Sequence, residues 1–276
     1  MFNAYNHKKI KSYLKILLSV IYISIFISKS HAENHNEVKV GILLGFSGVV
    51  ESLTPSMADS AELAFNEISN DVDLSKKIKF KIQRADTSCS NKNIAKDSAT
   101  KLIKEGVTAI IGAACPELTM EIAKNILIPK KILMISPADA SNELIKLKDN
   151  GYVFRTTPPK IRGGQILADI TKDRKIKSLA ITHTNNDYGK GLTNVYKAAV
   201  EAHGIKVTTV LAHEDGKADY SSEVATLASA GGDAVAVIGY LDQGGKGIIQ
   251  ASLDSGAFDK FVLSDGMIGQ SLVDAF

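Results

Sequence analysis

From residue 38 onward, apolar residues recur in two alternating rhythms. Short apolar runs bounded by Gly, Pro or polar clusters read as buried strands. Stretches with apolar residues three and four apart read as helices. The first series predicts strands at 38–44, 78–84, 107–112 and 131–136, with helices at 55–69, 91–105 and 116–125 between them. Met57, Ala61, Ala64, Phe65 and Ile68 share one face of the first helix, Gly106 ends the second, and Pro116 suits the first position of the third. The rhythm then breaks. Residues 138–150 are polar and turn-rich, 152–155 form a short extended piece, and Pro158-Pro159 cannot continue it as a central strand. A domain crossing is expected there. A second series predicts helix 160–172, strand 177–182, helix 188–202, strand 206–211, helix 220–230, strand 234–239, helix 244–254 and strand 260–263.

Repeated β-α units with apolar strands imply parallel sheets covered by helices, here as two α/β lobes at 37–157 and 158–276. Open α/β sheets bind ligands outside the carboxyl ends of their strands. The residues to inspect are therefore 45–52, 86–89, 113–119, 136–141, 183–189, 240–244 and 264–266. They hold small residues, hydroxyls, two tyrosines and some acids. His183 sits at a strand end and reads as a hydrogen-bonded structural group, while His203 and His213 read as surface residues. Asp187 and Asp265 have the residue type of an acid pair, but no nucleophile falls beside them. Gly45-Phe46-Ser47-Gly48 lacks the spacing of a dinucleotide loop. Gly239 and Gly244 have P-loop spacing, but Gly245 stands where Lys is required. Neither a catalytic constellation nor a metal or cofactor motif emerges.

The N-terminus changes the compartment. Lys8, Lys9 and Lys11 precede an apolar run at 16–27, which closes with Ser30-His31-Ala32. That is the three-part pattern of a secretory signal peptide at 1–32. The run of 12 residues is shorter than the roughly 17–25 that span a bilayer. Removing 1–32, with five lysines and no acid, turns the formal charge from +3 to −2. No basic stripe for nucleic acid remains. Cys89 and Cys115 fit no zinc or C-x-x-C pattern. In a secreted chain the simplest reading of the pair is one disulfide, with two separate buried thiols as the alternative.

At its strand ends the chain resembles the periplasmic substrate-binding proteins of ABC transporters, of the leucine/isoleucine/valine-binding type. The resemblance rests on Val40-Gly41…Ser47-Gly48, Cys89…Cys115, Met134-Ile135-Ser136-Pro137 and Phe154-Arg155-Thr156. It continues through Asp187-Tyr188-Gly189-Lys190-Gly191, Gly239-Tyr240 and Ser264-Asp265-Gly266. It implies a two-lobed (type I) binding fold and a disulfide within the first lobe matching Cys89 and Cys115. It also implies ligand contacts from Tyr188 and Tyr240, an ammonium partner in Asp265, and main-chain contacts at Ala138 and Ala140. The family places hydroxyl residues where this chain has Pro116 and Ala140; Thr119 and the amides opening helix 116–125 are the remaining candidates for holding an anion. Asp139 adds a charge beside that loop and reads as a solvated loop residue. Family members run about a hundred residues further, so the chain reads as truncated, with the second lobe and hinge incomplete.

The function that follows is capture, without catalysis or cofactor, of a small amino acid, aliphatic or branched-chain, in the periplasm. A monomer would close its lobes on the ligand and deliver it to an ABC permease. The alternatives are an extracytoplasmic ligand-sensing domain for amino acids or amides, and an inactive truncated product. A secreted α/β hydrolase is disfavoured by the absence of a G-x-S-x-G elbow.

Overall fold

The structure is a computed structural model that describes residues 36–71, 73 and 78–276. The expected signal segment, 1–32, lies outside the described residues. Two compact units divide the chain, and residues 38–67 with 80–276 form the second of them. The site lies wholly in the second.

Nine strands form two sheets among the described residues. The first contains β1 (Asn36–Leu44), β2 (Ile78–Asp86), β3 (Ala109–Gly112), β4 (Leu133–Ser136) and β5 (Val153–Arg155), in the order β2-β1-β3-β4-β5. The second contains β6 (Ser178–Thr184), β7 (Lys206–His213), β8 (Ala234–Ile238) and β9 (Phe261–Leu263), in the order β7-β6-β8-β9. Pairing is parallel from β1 through β3 and β4 to β5, and throughout the second sheet. Parallel strands covered on both faces have no solvated side to alternate with, which is why all five residues of β8 are buried.

Helices α1 (Thr54–Ser69), α2 (Lys92–Lys104) and α3 (Pro116–Ile122) follow β1, β2 and β3. The predicted helix 116–125 is interrupted: α3 passes into a π-turn at Ala123–Leu127 and a 3₁₀ turn at Ile128–Lys130. Pro129 has no N–H to continue an α ladder. The polar stretch after β4 contains a single helical turn, α4 (Glu143–Lys146). In the second sheet, α5 (Lys160–Asp173) precedes β6, while α6 (Asp187–Ala202) and α7 (Ser221–Ala230) follow β6 and β7. After β8 a π-turn at Leu241–Gly245 leads into α8 (Lys246–Ser255), and a turn of helix, α9 (Gln270–Val273), follows β9.

The sheets share an apolar core. One cluster runs from Ile42 and Leu44 of β1, through Ala114 and Cys115, to Tyr188 and Tyr240, and on to Leu179 and Ile181 of β6. Separate clusters lie under α2 and α3, and under α7 and α8. One reading of the second sheet is corrected. His213 ends β7 and is buried, with Nδ1 2.8 Å from Thr182 Oγ1 and its ring edge-on to Tyr220. A strand-end histidine looks exposed in sequence until a following helix, here α7, folds over it.

Candidate functional site

Strand order decides which side chains meet. Tyr188, Tyr240 and Asp265 follow β6, β8 and β9, three neighbours in the second sheet. Val50, Ala114 and Ala138 follow β1, β3 and β4, three neighbours in the first. A cavity of about 250 Å³ lies between the two sets. Val50, Leu53, Met57, Ala114 and Pro116 give it an apolar wall, and Ala138 and Ala140 give it a loop edge. Tyr188, Tyr240, Asp265 and Gly266 supply the polar side.

Local rules fix Tyr188. Asn186 caps α6, its Oδ1 accepting from Gly189 N at 2.9 Å. A Cβ on Gly189 would stand 2.3 Å from Thr184 O, so only glycine lets the helix start this close to its strand. Tyr188 therefore falls in the first turn, beside the strand end. Its ring stacks on Tyr240 with centroids 4.8 Å apart and planes at 21°. The Tyr188 hydroxyl donates to Asp265 Oδ1 at 2.5 Å and accepts from Gly266 N at 3.1 Å. Gly266 is packed against Gly239 O, 2.4 Å from where a Cβ would sit. Burial, then the Asp265 charge, pushes the Tyr188 phenol well up, so it stays a donor. Burial and the Asp265 carboxylate raise Tyr240 in the same sense.

The facing loop is tightly pinned. Ser136 Oγ donates to Ala113 O at 2.6 Å and accepts from Asp139 N at 2.9 Å. Ser141 N donates to Asp139 Oδ1 at 2.7 Å. Arg155 holds Ser141 O at 2.7 Å, and Lys160 N holds Ala140 O at 2.8 Å. Asp139 is fully buried, which corrects its reading as a solvated loop residue. Burial pushes its carboxyl up, opposed by the Ser141 amide and the Lys160 charge.

Lys160, at the start of α5, carries no signal in the sequence reading beyond a helix start. It is buried, donates from Nζ to Asp187 O at 3.1 Å and lies 5.6 Å from the centroid of the Tyr188 ring. Burial lowers its amine, while Asp139, Glu143, Asp187 and Asp265 act to raise it. A lysine in the first turn sits against the helix dipole, and that oddity is the available clue. It lines a neighbouring hollow of about 370 Å³ with Glu117, Glu143, Asp187 and Lys190, which shares Pro116 with the cavity. Asp187 thus faces that hollow, while Asp265 faces the cavity. Across the seam, Asp187 N donates to Glu117 Oε1 at 3.4 Å.

Thr119 is not on the cavity wall. It is fully buried and donates back to Cys115 O at 2.9 Å and Ala113 O at 3.1 Å. The amides of Leu118 and Thr119 are likewise spent on Cys115 O, Pro116 has no N–H, and Glu117 puts a carboxylate in the same turn. The expected role of Thr119 in an anion site is corrected: its hydroxyl and amide, with the Leu118 amide, are already taken within the turn. Cys89 and Cys115 form a disulfide with Cα atoms 5.7 Å apart, tying the loop after β2 to the start of α3. Among the described residues no cluster of three or more His, Cys, Asp or Glu stands ready to hold a metal.

Two parallel sheets whose strand ends face each other across a small cavity define a two-lobed binding architecture. Residues 37–273 match the periplasmic binding protein family, and the chain belongs to it. It is 27% identical to the Leu/Ile/Val-binding protein homolog 3 of Brucella melitensis, over 84% of this chain and 62% of that protein. It is 29% identical to the Leu/Ile/Val/Thr-binding protein of Salmonella typhimurium, over 90% of this chain and 67% of that protein. The chain thus spans about two thirds of the length of these relatives. Among solved structures, a leucine-binding protein from Thermotoga maritima superposes with a TM-score of 0.75 at 23% identity, covering 86% of this chain and 66% of its own. The branched-chain amino acid binding protein LivJ of Streptococcus pneumoniae, in complex with isoleucine, gives 0.76 at 21% identity, covering 87% and 67%. These likenesses show the fold.

Proposed function

We propose that this chain is the ligand-capturing component of an ABC transporter, acting in the periplasm by binding and not by catalysis. The lobes are 37–157 and 158–276, and the solute is a small amino acid with an aliphatic or branched side chain. The observation that carries this reading is the cavity itself. An apolar wall from the first sheet faces a carboxylate and two tyrosines from the second. An aliphatic chain packs on the wall and the tyrosine faces, and its ammonium meets Asp265. Ala138 and Ala140 offer main-chain contacts. A buried ammonium without an opposite charge is costly, so Asp265 selects for one. The names of the relatives, Leu/Ile/Val-binding and Leu/Ile/Val/Thr-binding, support the same class. Lobe closure on the solute is a population shift, and the closed monomer is the form offered to the permease.

The test is thermal unfolding of the chain in the presence of each common amino acid. A ligand at 100 times its dissociation constant adds about 2.7 kcal/mol. Leucine, isoleucine or valine should raise the midpoint while aspartate and lysine do not. No shift with any aliphatic amino acid contradicts the reading.

A further inference from the structure

Counting what the cavity wall offers a ligand separates its two polar ends. Thr54 and Ser56 line the cavity, but Thr54 Oγ1 donates to Gly45 O at 2.7 Å and Ser56 Oγ to Leu53 O at 2.9 Å. The Tyr188 hydroxyl is committed to Asp265 and Gly266. Asp265 is the one charged side chain among the described lining residues, and its Oδ2 has no hydrogen bond among them. The donors left to meet a ligand oxygen are neutral: the Tyr240 hydroxyl and the main-chain N–H groups of Ala138 and Ala140.

The surrounding charges point the same way. Burial, and after it the carboxylates of Asp265, Asp215, Glu117 and Asp139, raise the Tyr240 phenol, so it stays protonated and able to donate. The buried cation Lys160 lines the neighbouring hollow instead, and its ammonium donates to Asp187 O. A carboxylate in the cavity would therefore meet neutral donors and no cation among the described lining residues. A primary amide presents the same carbonyl acceptor without the charge.

We infer, resting on the solute-binding reading above, that the cavity selects its ligand by the ammonium and is indifferent to charge at the acyl end, so that amides of aliphatic amino acids are ligands alongside the acids. The specificity determinant is Asp265, and the acyl end is held by groups that read a carbonyl oxygen.

The test is calorimetric titration of the full chain with L-leucine, L-leucinamide and 4-methylpentanoate at pH 6. There both amines are protonated, being below the ordinary α-amino pKa of about 7.7–8.0. The expected result is a dissociation constant for leucinamide no more than threefold above that of leucine, with 4-methylpentanoate at least fiftyfold weaker. A larger preference for leucine over leucinamide overturns the inference and leaves the solute-binding reading standing. Binding of 4-methylpentanoate as tight as that of leucine also overturns it. Failure of all three to bind removes the aliphatic-solute reading, and the inference falls with it.

Discussion

The Tyr188 hydroxyl donates to Asp265 Oδ1 at 2.5 Å across 77 positions of sequence, fixing a carboxylate at the end of one strand with the first turn of a helix that follows another. Asp265 sits in a 3₁₀ turn at Asp265–Met267, with little else to orient its side chain. Tyr188 is both a wall of the cavity and the clamp on Asp265, the one charge among the described lining residues.

Tyr188→Phe separates these roles. The ring and its stacking on Tyr240 remain, while Asp265 Oδ1 and Gly266 N lose their partner. Stability should fall by about 1–3 kcal/mol, and leucine affinity should fall about tenfold as the carboxylate loses its direction. Tyr240→Phe, whose hydroxyl has no partner among the described residues, should cost less stability. Denaturant melts and calorimetry on both variants check this; parental behaviour of Tyr188→Phe in both assays contradicts it.

Lys160 and Asp139 are coupled buried charges. Removing either leaves the other without its compensating field, and removing both relieves that penalty. Lys160→Met and Asp139→Asn should each destabilise, and the double variant should be more stable than the sum by at least about 0.5 kcal/mol. Strict additivity in a double-mutant cycle contradicts the coupling.

His213 carries a pH signature. Burial, followed by the charge of His183, lowers its pKa to about 4, from an ordinary value of 6.5. The unfolded chain binds the proton first, so this contribution is complete above pH 6.5 and is lost progressively as pH falls from 6.5 to about 4. Its full size is roughly 3 kcal/mol. Urea unfolding at pH 7 and pH 4.5 should show a larger loss in the parent than in His213→Gln. Equal losses contradict the assignment.

The disulfide ties the loop after β2 to the N-cap of α3, both close to the cavity wall. Replacing Cys89 and Cys115 together by Ala should lower stability by about 2–4 kcal/mol. Parental stability in the double variant, measured by urea unfolding, contradicts a structural role for the bridge.

The strands were legible because parallel strands are continuous apolar runs: 234–239 reads as a strand in sequence and Ala234–Ile238 is one. Tyr188, Tyr240 and Asp265 were legible as strand-end residues, since neighbouring parallel strands deliver their ends to one edge. What stayed hidden depends on packing between distant segments. Asp139 looks solvated until Ser136 and Ser141 fold around it. Lys160 looks like any helix start until Asp187 O and the Tyr188 ring close over it. Thr119 looks available until its hydroxyl is seen turned back on Cys115 O. Each outcome depends on a competing partner that spacing does not reveal.

The central claim is that Asp265 meets the ammonium of an aliphatic solute, and calorimetric titration of L-leucine into the parent and Asp265→Asn measures it directly. Asn keeps the shape and a hydrogen-bonding oxygen but removes the charge. Loss of one partner of a buried charge pair costs about 2–5 kcal/mol, so affinity should fall at least thirtyfold while the melting temperature changes little. Parent binding with Asp265→Asn within twofold of it would contradict the account.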